Sequence, residues 1–192
     1  MDDAKVHWPT PAWPTRSLFA VHPPPTQMVL EPSAGSGGIA SVLAEVGHTV
    51  TATEVRPECA EPLRRILPKS QGHRVIIADF LRLPPRVERL VASWDHFSIV
   101  ANPPYKPAEI MLRHVRAALA LRPDYCAQLL PIGFLASKNR ARFWSDYPPT
   151  AIYILSERPR FTGGGGNQDI MWCVWERGVR EQRIRHLSRG IL

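Results

Sequence analysis

Short apolar blocks alternate with longer amphipathic stretches along this chain, and the two periodicities predict different elements. Compact runs rich in Val, Ile and Leu, bounded by Gly, Pro or an acidic residue, read as buried strands. Seven are expected, near 27–31, 49–54, 74–78, 95–101, 124–130, 151–155 and 170–176. Helices are expected between them, near 38–46, 57–66, 107–121 and 138–145. In the helix at 107–121, Ile110, Leu112, Val115, Ala118 and Leu119 supply an apolar face with charges interleaved. Strand–helix alternation predicts an α/β fold, a largely parallel sheet with both faces covered. Residues 1–25 are rich in proline and read as an extended arm with a short helix around 12–20. Residues 26–177 read as one domain and 178–192 as a basic tail. The run Gly163 to Gly166 reads as a mobile loop, either a connector or a flap over substrate.

Ligands of open α/β sheets bind at the carboxyl ends of the strands, so the residues that end each strand carry the chemistry. The first strand runs into Glu31-Pro32-Ser33-Ala34-Gly35-Ser36-Gly37-Gly38 and then a helix. A glycine turn there lets backbone amides approach a nucleotide-like ligand. The second strand ends in Glu54, 19 positions after Gly35, the spacing of a carboxylate that binds a ribose hydroxyl. The third ends in Asp79-Phe80, and the fourth in Asn102-Pro103-Pro104-Tyr105. That tetrapeptide suits methylation of a planar amine, whose delocalised lone pair is a poor nucleophile. The Asn102 oxygen and the Pro103 carbonyl would accept both N–H hydrogens, and Tyr105 would stack on the ring. The two prolines stiffen the carbonyl array, because each fixes φ and removes a donor. Competing readings are ordinary strand-end carboxylates and a Pro-rich turn in a chain that holds 20 prolines.

Together these residues resemble the class I S-adenosylmethionine-dependent amino-methyltransferases, which include the DNA adenine-N6 enzymes. The resemblance spans about residues 8 to 177 and implies a Rossmann-like, seven-stranded, mostly parallel sheet whose last strand is antiparallel. It implies cofactor binding by Glu31, Pro32, Ala34, Gly35 and Gly37, with ribose on Glu54 and adenine by Asp79 and Phe80. Asn102, Pro103, Pro104 and Tyr105 would be catalytic, with Asn102 also near the cofactor. The run Trp8-Pro9-Thr10-Pro11 resembles the family's aromatic-x-Thr-Pro element, which places Thr10 and Pro11 at the cofactor. The longer N-terminal run from Trp8 to Leu18, and the distal blocks Ser156–Phe161 and Met171–Trp175, are similar to small phage and prophage DNA methylases.

Composition narrows the partners. A net charge of +7 favours an acidic partner, and nucleic acid is the simplest. Lys106, Lys138, Arg140 and Arg142 are the candidate phosphate contacts, because they fall near the expected active edge. Arginine clusters at 82–89 and 177–189 read as solvated faces. No apolar run is long enough to span a bilayer. The opening residues lack a secretion pattern, and a cytoplasmic location is the expectation. Three widely spaced cysteines and seven histidines form no ligand pattern, so no metal site is expected.

The motif does not choose its acceptor. DNA adenine is the leading reading, with ribosomal RNA guanine or a protein glutamine side chain as alternatives, and an inactive nucleic-acid-binding relic as another. The stretch between Gly38 and Asn102 is used up by strands and helices, leaving no region to read a long sequence through base contacts. Acceptor DNA, double- or single-stranded, is therefore expected to be methylated with relaxed sequence preference, or with recognition supplied by a protein partner. Sequencing of sites methylated by the purified chain checks this. A strict site of about six base pairs would overturn it.

Overall fold

Strand and helix follow one another through the computed structural model, which describes residues 9–83, 85–161 and 168–189. Trp8 and the run Gly163 to Gly166 lie outside the described residues. The strands are β1 (Met28–Pro32), β2 (Thr49–Glu54), β3 (Arg74–Ile77), β4 (Ser98–Ala101), β5 (Tyr125–Pro131), β6 (Ala151–Leu155), β7 (Ile170–Glu176) and β8 (Arg183–Leu187). The helices are α1 (Ala12–Val21), α2 (Gly38–Glu45), α3 (Ala60–Ile66), α4 (Pro85–Ala92), α5 (Ala108–Ala120) and α6 (Ala141–Asp146). One sheet holds all eight strands in the order β3-β2-β1-β4-β5-β7-β6-β8. Only β7 runs against the rest, pairing antiparallel with both β5 and β6.

Central strands are buried on both faces, and successive residues divide between two cores. On β1, Val29 joins one core and Leu30 the other; on β7, Trp172 and Val174 alternate with Met171 and Cys173. The first core packs under α1, α2 and α3 through Leu18, Ile39, Leu43 and Leu63. The second packs under α4, α5 and α6 through Val91, Met111, Val115, Ala118 and Phe143. Near-continuous apolar strands are what a parallel sheet covered on both faces requires.

Several expected boundaries shift. The fourth strand starts at Ser98, and a helix, α4, occupies 85–92, where the sequence shows a cluster of arginines. A high share of charge conceals that helix. The segments at 57–66 and 138–145 each open with a single 3₁₀ turn before the α-helix begins. In α5 the buried residues are Met111, His114, Val115 and Ala118, whereas Ile110, Leu112 and Leu119 are half-buried. The buried face is rotated from the expected one, and a histidine occupies one of its positions.

The sheet has eight strands rather than the expected seven, and the extra one comes from the segment expected to be a tail. β8 pairs with β6 in parallel, Arg183 opposite Ala151 through Leu187 opposite Leu155. Its sequence, Arg-Ile-Arg-His-Leu, is that of a charged edge strand, which resists further pairing. Polar contacts hold it in place. Glu176 Oε2 accepts from Arg183 at 3.3 Å and from the Thr150 hydroxyl at 3.0 Å, and Glu176 Oε1 lies 3.0 Å from His22 Nε2. The His22 carbonyl accepts from Tyr125 at 2.8 Å, and its Nδ1 lies 3.0 Å from the Tyr153 hydroxyl. The network ties the end of α1 to β5, β6, β7 and β8. Glu176→Ala removes the shared acceptor and is expected to cost about 1–3 kcal/mol in denaturant unfolding. Glu45→Ala, which breaks only the exposed pair with Arg16, should cost less than about 1 kcal/mol.

Candidate active site at the strand ends

Parallel register brings the ends of β1, β2, β3 and β4 to one edge. β1 pairs with β2 from Met28–Thr49 to Pro32–Thr53, and β2 with β3 up to Glu54–Ile77. Glu31 and Glu54 are only 2% and 3% exposed, and they occupy opposite electrostatic settings. Glu54 Oε2 accepts the Gly35 amide at 2.7 Å, while Oε1 accepts the Arg56 amide at 3.1 Å and Arg56 Nε at 2.9 Å. Burial pushes the Glu54 pKa up, but the Arg56 and Gly35 donors outweigh it and hold the group below its ordinary value. Three donors use three of the roughly four lone-pair sites of a carboxylate, leaving room for one more. Glu31 is pushed well above its ordinary value by burial and then by repulsion from Glu54; the Ala40 backbone N–H offsets this only in part.

The loop between β1 and α2 is shaped by its backbone. Ser33, Gly35 and Gly37 have φ of 61°, 59° and 92°. At Gly37 the φ of 92° is one that residues with a Cβ rarely adopt, so its conformation calls for glycine. The Ala34 amide donates to the Thr53 carbonyl at 3.0 Å, and the Gly37 amide donates back to Ala34 at 2.9 Å. Pro32 and Ala34 are buried beneath the loop, and Pro11 caps the start of α1 nearby in sequence to Thr10.

Asp79 and Phe80 end the β3 segment. Asp79 accepts the Leu81 amide at 2.9 Å, which holds a one-turn 3₁₀ helix, and Phe80 is buried. Asn102 follows β4 directly. Its Nδ2 donates to Thr10 Oγ1 at 2.9 Å, whereas its Oδ1 is buried without a partner. Pro103 is buried and Pro104 exposed. The Tyr105 hydroxyl donates to the Leu129 carbonyl at 3.2 Å, and its ring meets Phe161 edge-on with centroids 6.3 Å apart. Burial raises the Tyr105 pKa far above the ordinary phenol range, so it is a neutral aromatic surface and not a base.

Five buried side-chain oxygens lack a partner among the described residues: Glu31 Oε2, Asn102 Oδ1 and the hydroxyls of Thr15, Thr51 and Thr53. Glu31, Thr53 and Asn102 stand at the strand ends. Leaving such an acceptor bare costs about 1–3 kcal/mol, a cost that a ligand with donors would offset.

No protein-family model matches the sequence, and no curated protein does. Solved structures share the fold. A protein of Vibrio vulnificus YJ016 described as a modification subunit of a type I restriction enzyme aligns over 97% of this chain, with TM-score 0.66 and 16% identity. The chain spans 48% of that protein. A protein of Pyrococcus horikoshii described as an RNA methyltransferase aligns over 86% of this chain and 81% of its own, with TM-score 0.61 and 15% identity. The tRNA (uracil-54, C5)-methyltransferase of Pyrococcus abyssi, solved with S-adenosyl-L-homocysteine, aligns over 83% of this chain and 36% of its own, with TM-score 0.58 and 16% identity.

The fold is that of the class I methyltransferases.

Within this methyltransferase fold the structure adds one residue to the strand-end cluster. His114, from α5, is buried with its Nδ1 3.3 Å from the Ser33 hydroxyl and its ring 5.6 Å from Phe80. Burial pushes its pKa down to about 4, against the pull of Asp79 and Glu54, so the imidazole is neutral at pH 7. A histidine three positions after Met111 on a buried helical face was the available signal. The basic candidates separate. Arg140 spends its guanidinium on the carbonyls of Phe134, Gly133 and Ala136 and lies 4.7 Å over the Phe134 ring. It shapes the loop after β5. Lys106 and Lys138 are exposed, and Arg142 pairs with Asp146 at 3.5 Å. Among the described residues no group of His, Cys, Asp and Glu is arranged for a metal, and no helix is long and apolar enough to cross a membrane. Concavities of about 580 Å³ beside α6 and β8 and about 230 Å³ beneath β7 do not include Glu31, Glu54 or Asp79.

Opposite pKa shifts at Glu31 and Glu54 give opposite pH dependence. Glu31 holds its proton more tightly when folded, so its contribution to stability is full below the ordinary value of 4.5 and is lost as pH rises through the raised pKa. Glu54 stabilises above its unfolded pKa and loses that contribution as pH falls through its lowered one. Glu31→Gln should therefore melt higher than the parent protein at neutral and alkaline pH, with a gap that closes toward about pH 4. Thermal melts across that range check it, and a pH-independent gap would contradict it.

Proposed function

We propose that this chain is an S-adenosylmethionine-dependent methyltransferase that acts on the exocyclic N6 amine of adenine in DNA. The observation that carries the reading is Asn102, whose Nδ2 is anchored while its Oδ1 stands bare at the carboxyl end of β4, immediately before Pro103 and Pro104. A planar amine with two N–H donors fits that acceptor and the adjoining Pro103 carbonyl. Drawing both hydrogens to fixed oxygens localises the nitrogen lone pair and aims it.

The strand-end residues suit the cofactor. Glu54, ionised and with one acceptor site to spare, would take a ribose hydroxyl. The bare Oε2 of Glu31 would accept from the cofactor's ammonium end, with Pro32, Ala34, Gly35 and Gly37 shaping the adjoining loop, and Asp79 and Phe80 would border its adenine. When bound, S-adenosylmethionine supplies an electrophilic methyl group on a sulfonium whose leaving group is a neutral thioether. Alignment then matters more than a strong base, which fits a site with neutral Tyr105 and neutral His114 near the amine and cofactor positions. The similar solved structures include one described as a modification subunit of a type I restriction enzyme and others described as RNA or tRNA methyltransferases, which supports a nucleic-acid acceptor. Exposed Lys106 and Lys138 are the cations available for phosphates. A base taken out of its stack is cheaper to present from a single strand.

Labelled methyl transfer to unmethylated single- and double-stranded DNA, with ribosomal RNA and protein as parallel acceptors, tests this. N6-methyladenine in DNA is expected. Asn102→Ala should lower turnover by about 10²–10³-fold while leaving cofactor affinity within a few-fold. Label confined to RNA or protein would overturn the substrate, and normal turnover by the variant would overturn the role of Asn102.

A further inference from the structure

We infer that Thr10 is a positioning residue for the reaction: its hydroxyl accepts the rear N–H of the Asn102 amide and so anchors the side chain when Oδ1 is turned to the acceptor amine. This rests on the function proposed above. Three observations converge. Asn102 Nδ2 donates to Thr10 Oγ1 at 2.9 Å across 92 residues of sequence. The opposite end of the same amide, Oδ1, is buried and unpartnered. The backbone that carries Thr10 is seated directly on α2, because a Cβ at Gly38 would overlap the Thr10 carbonyl oxygen.

The chemistry requires a choice of amide orientation. Rotated by 180°, Asn102 would present Nδ2–H to an amine that itself offers N–H, and donor would face donor. The amine selects the orientation with Oδ1 forward, and Thr10 then accepts the rear N–H. A hydroxyl suits this because it has two acceptor lone pairs. Gly38 matters for the same reason. Its missing side chain is what allows the arm to approach closely enough for a threonine of the N-terminal segment to reach the end of β4. The residue that positions the amide thus lies 92 positions before it, in the segment that leads into α1.

Three variants test the inference. Thr10→Val keeps the shape and removes the acceptor, Thr10→Ser restores it, and Gly38→Ala pushes the arm away. Thr10→Val and Gly38→Ala are expected to lower kcat by about 10- to 100-fold, with Thr10→Ser close to the parent protein in both kcat and cofactor affinity. A second readout is independent of turnover. The chain has three asparagines, at 102, 139 and 167, so the Asn102 side-chain amide is assignable in ¹⁵N-asparagine-labelled protein. Its proton exchange should be slow in the parent protein and in Thr10→Ser, and fast in Thr10→Val. Lost cofactor affinity with unchanged kcat in Thr10→Val, or fast exchange in the parent protein, overturns the inference. If the parent protein methylates no acceptor while exchange is slow, the proposed function fails and the hydrogen bond stands.

Discussion

Parallel pairing of β3, β2, β1, β4 and β5 is the constraint on which the rest of the molecule depends. Parallel neighbours cannot be joined by a hairpin, so the chain must cross over between them, here through a helix each time. Each crossover covers a face of the sheet, which forces the strands to be apolar on both sides. It also returns every strand to the same starting edge. Glu31, Glu54, Asp79 and Asn102 are far apart in sequence and neighbours at the opposite edge because of that requirement. The polar residues of the site stand where the strands run out of partners.

The strand-end edge is built from buried polar groups in unequal states. Glu54 gathers the Gly35 amide and two donors of Arg56, and so stays ionised in a setting that excludes water. That ionised group raises the cost of a second charge at Glu31, which has fewer compensating donors. The pair therefore has its two carboxyl pKa values pushed in opposite directions on adjacent strands. Asn102 adds a neutral acceptor beside them. Such groups weaken the free protein, and their concentration at one edge fits a site made to bind donors rather than to stabilise the fold.

Helix α1 and strand β8 are bound into this arrangement from opposite directions. Trp172 on β7 donates to the Pro14 carbonyl of α1 at 3.0 Å, and His22 at the other end of α1 enters the Glu176 network with Arg183 of β8. Fixing α1 fixes the arm before it, and with it Thr10. The Glu176 network is thus mechanically continuous with the Asn102 side chain, through one helix packed on α2.

Local sequence was sufficient wherever the deciding signal was itself local. The apolar blocks of β1, β2, β5, β6 and β7 are strands because no amphipathic period competes with them. The glycines at 35 and 37 announce a turn because their φ values are ones other residues avoid. Composition and spacing likewise carried the expectation of carboxylates at strand ends. Tertiary structure decided what depends on partners distant in sequence. β8 is a strand because β6 offers an open edge and Glu176 a counter-charge, neither of which its own charged residues reveal. His114 is a site-facing residue because Ser33 and Phe80 pack against it. Arg140 is a loop brace because the carbonyls of residues 133–136 converge on it. The hydrogen-bond partner of the Asn102 side-chain amide is a threonine 92 positions away. Hydrogen bonds and ion pairs act over a few ångströms, and only the completed fold brings such groups within that reach.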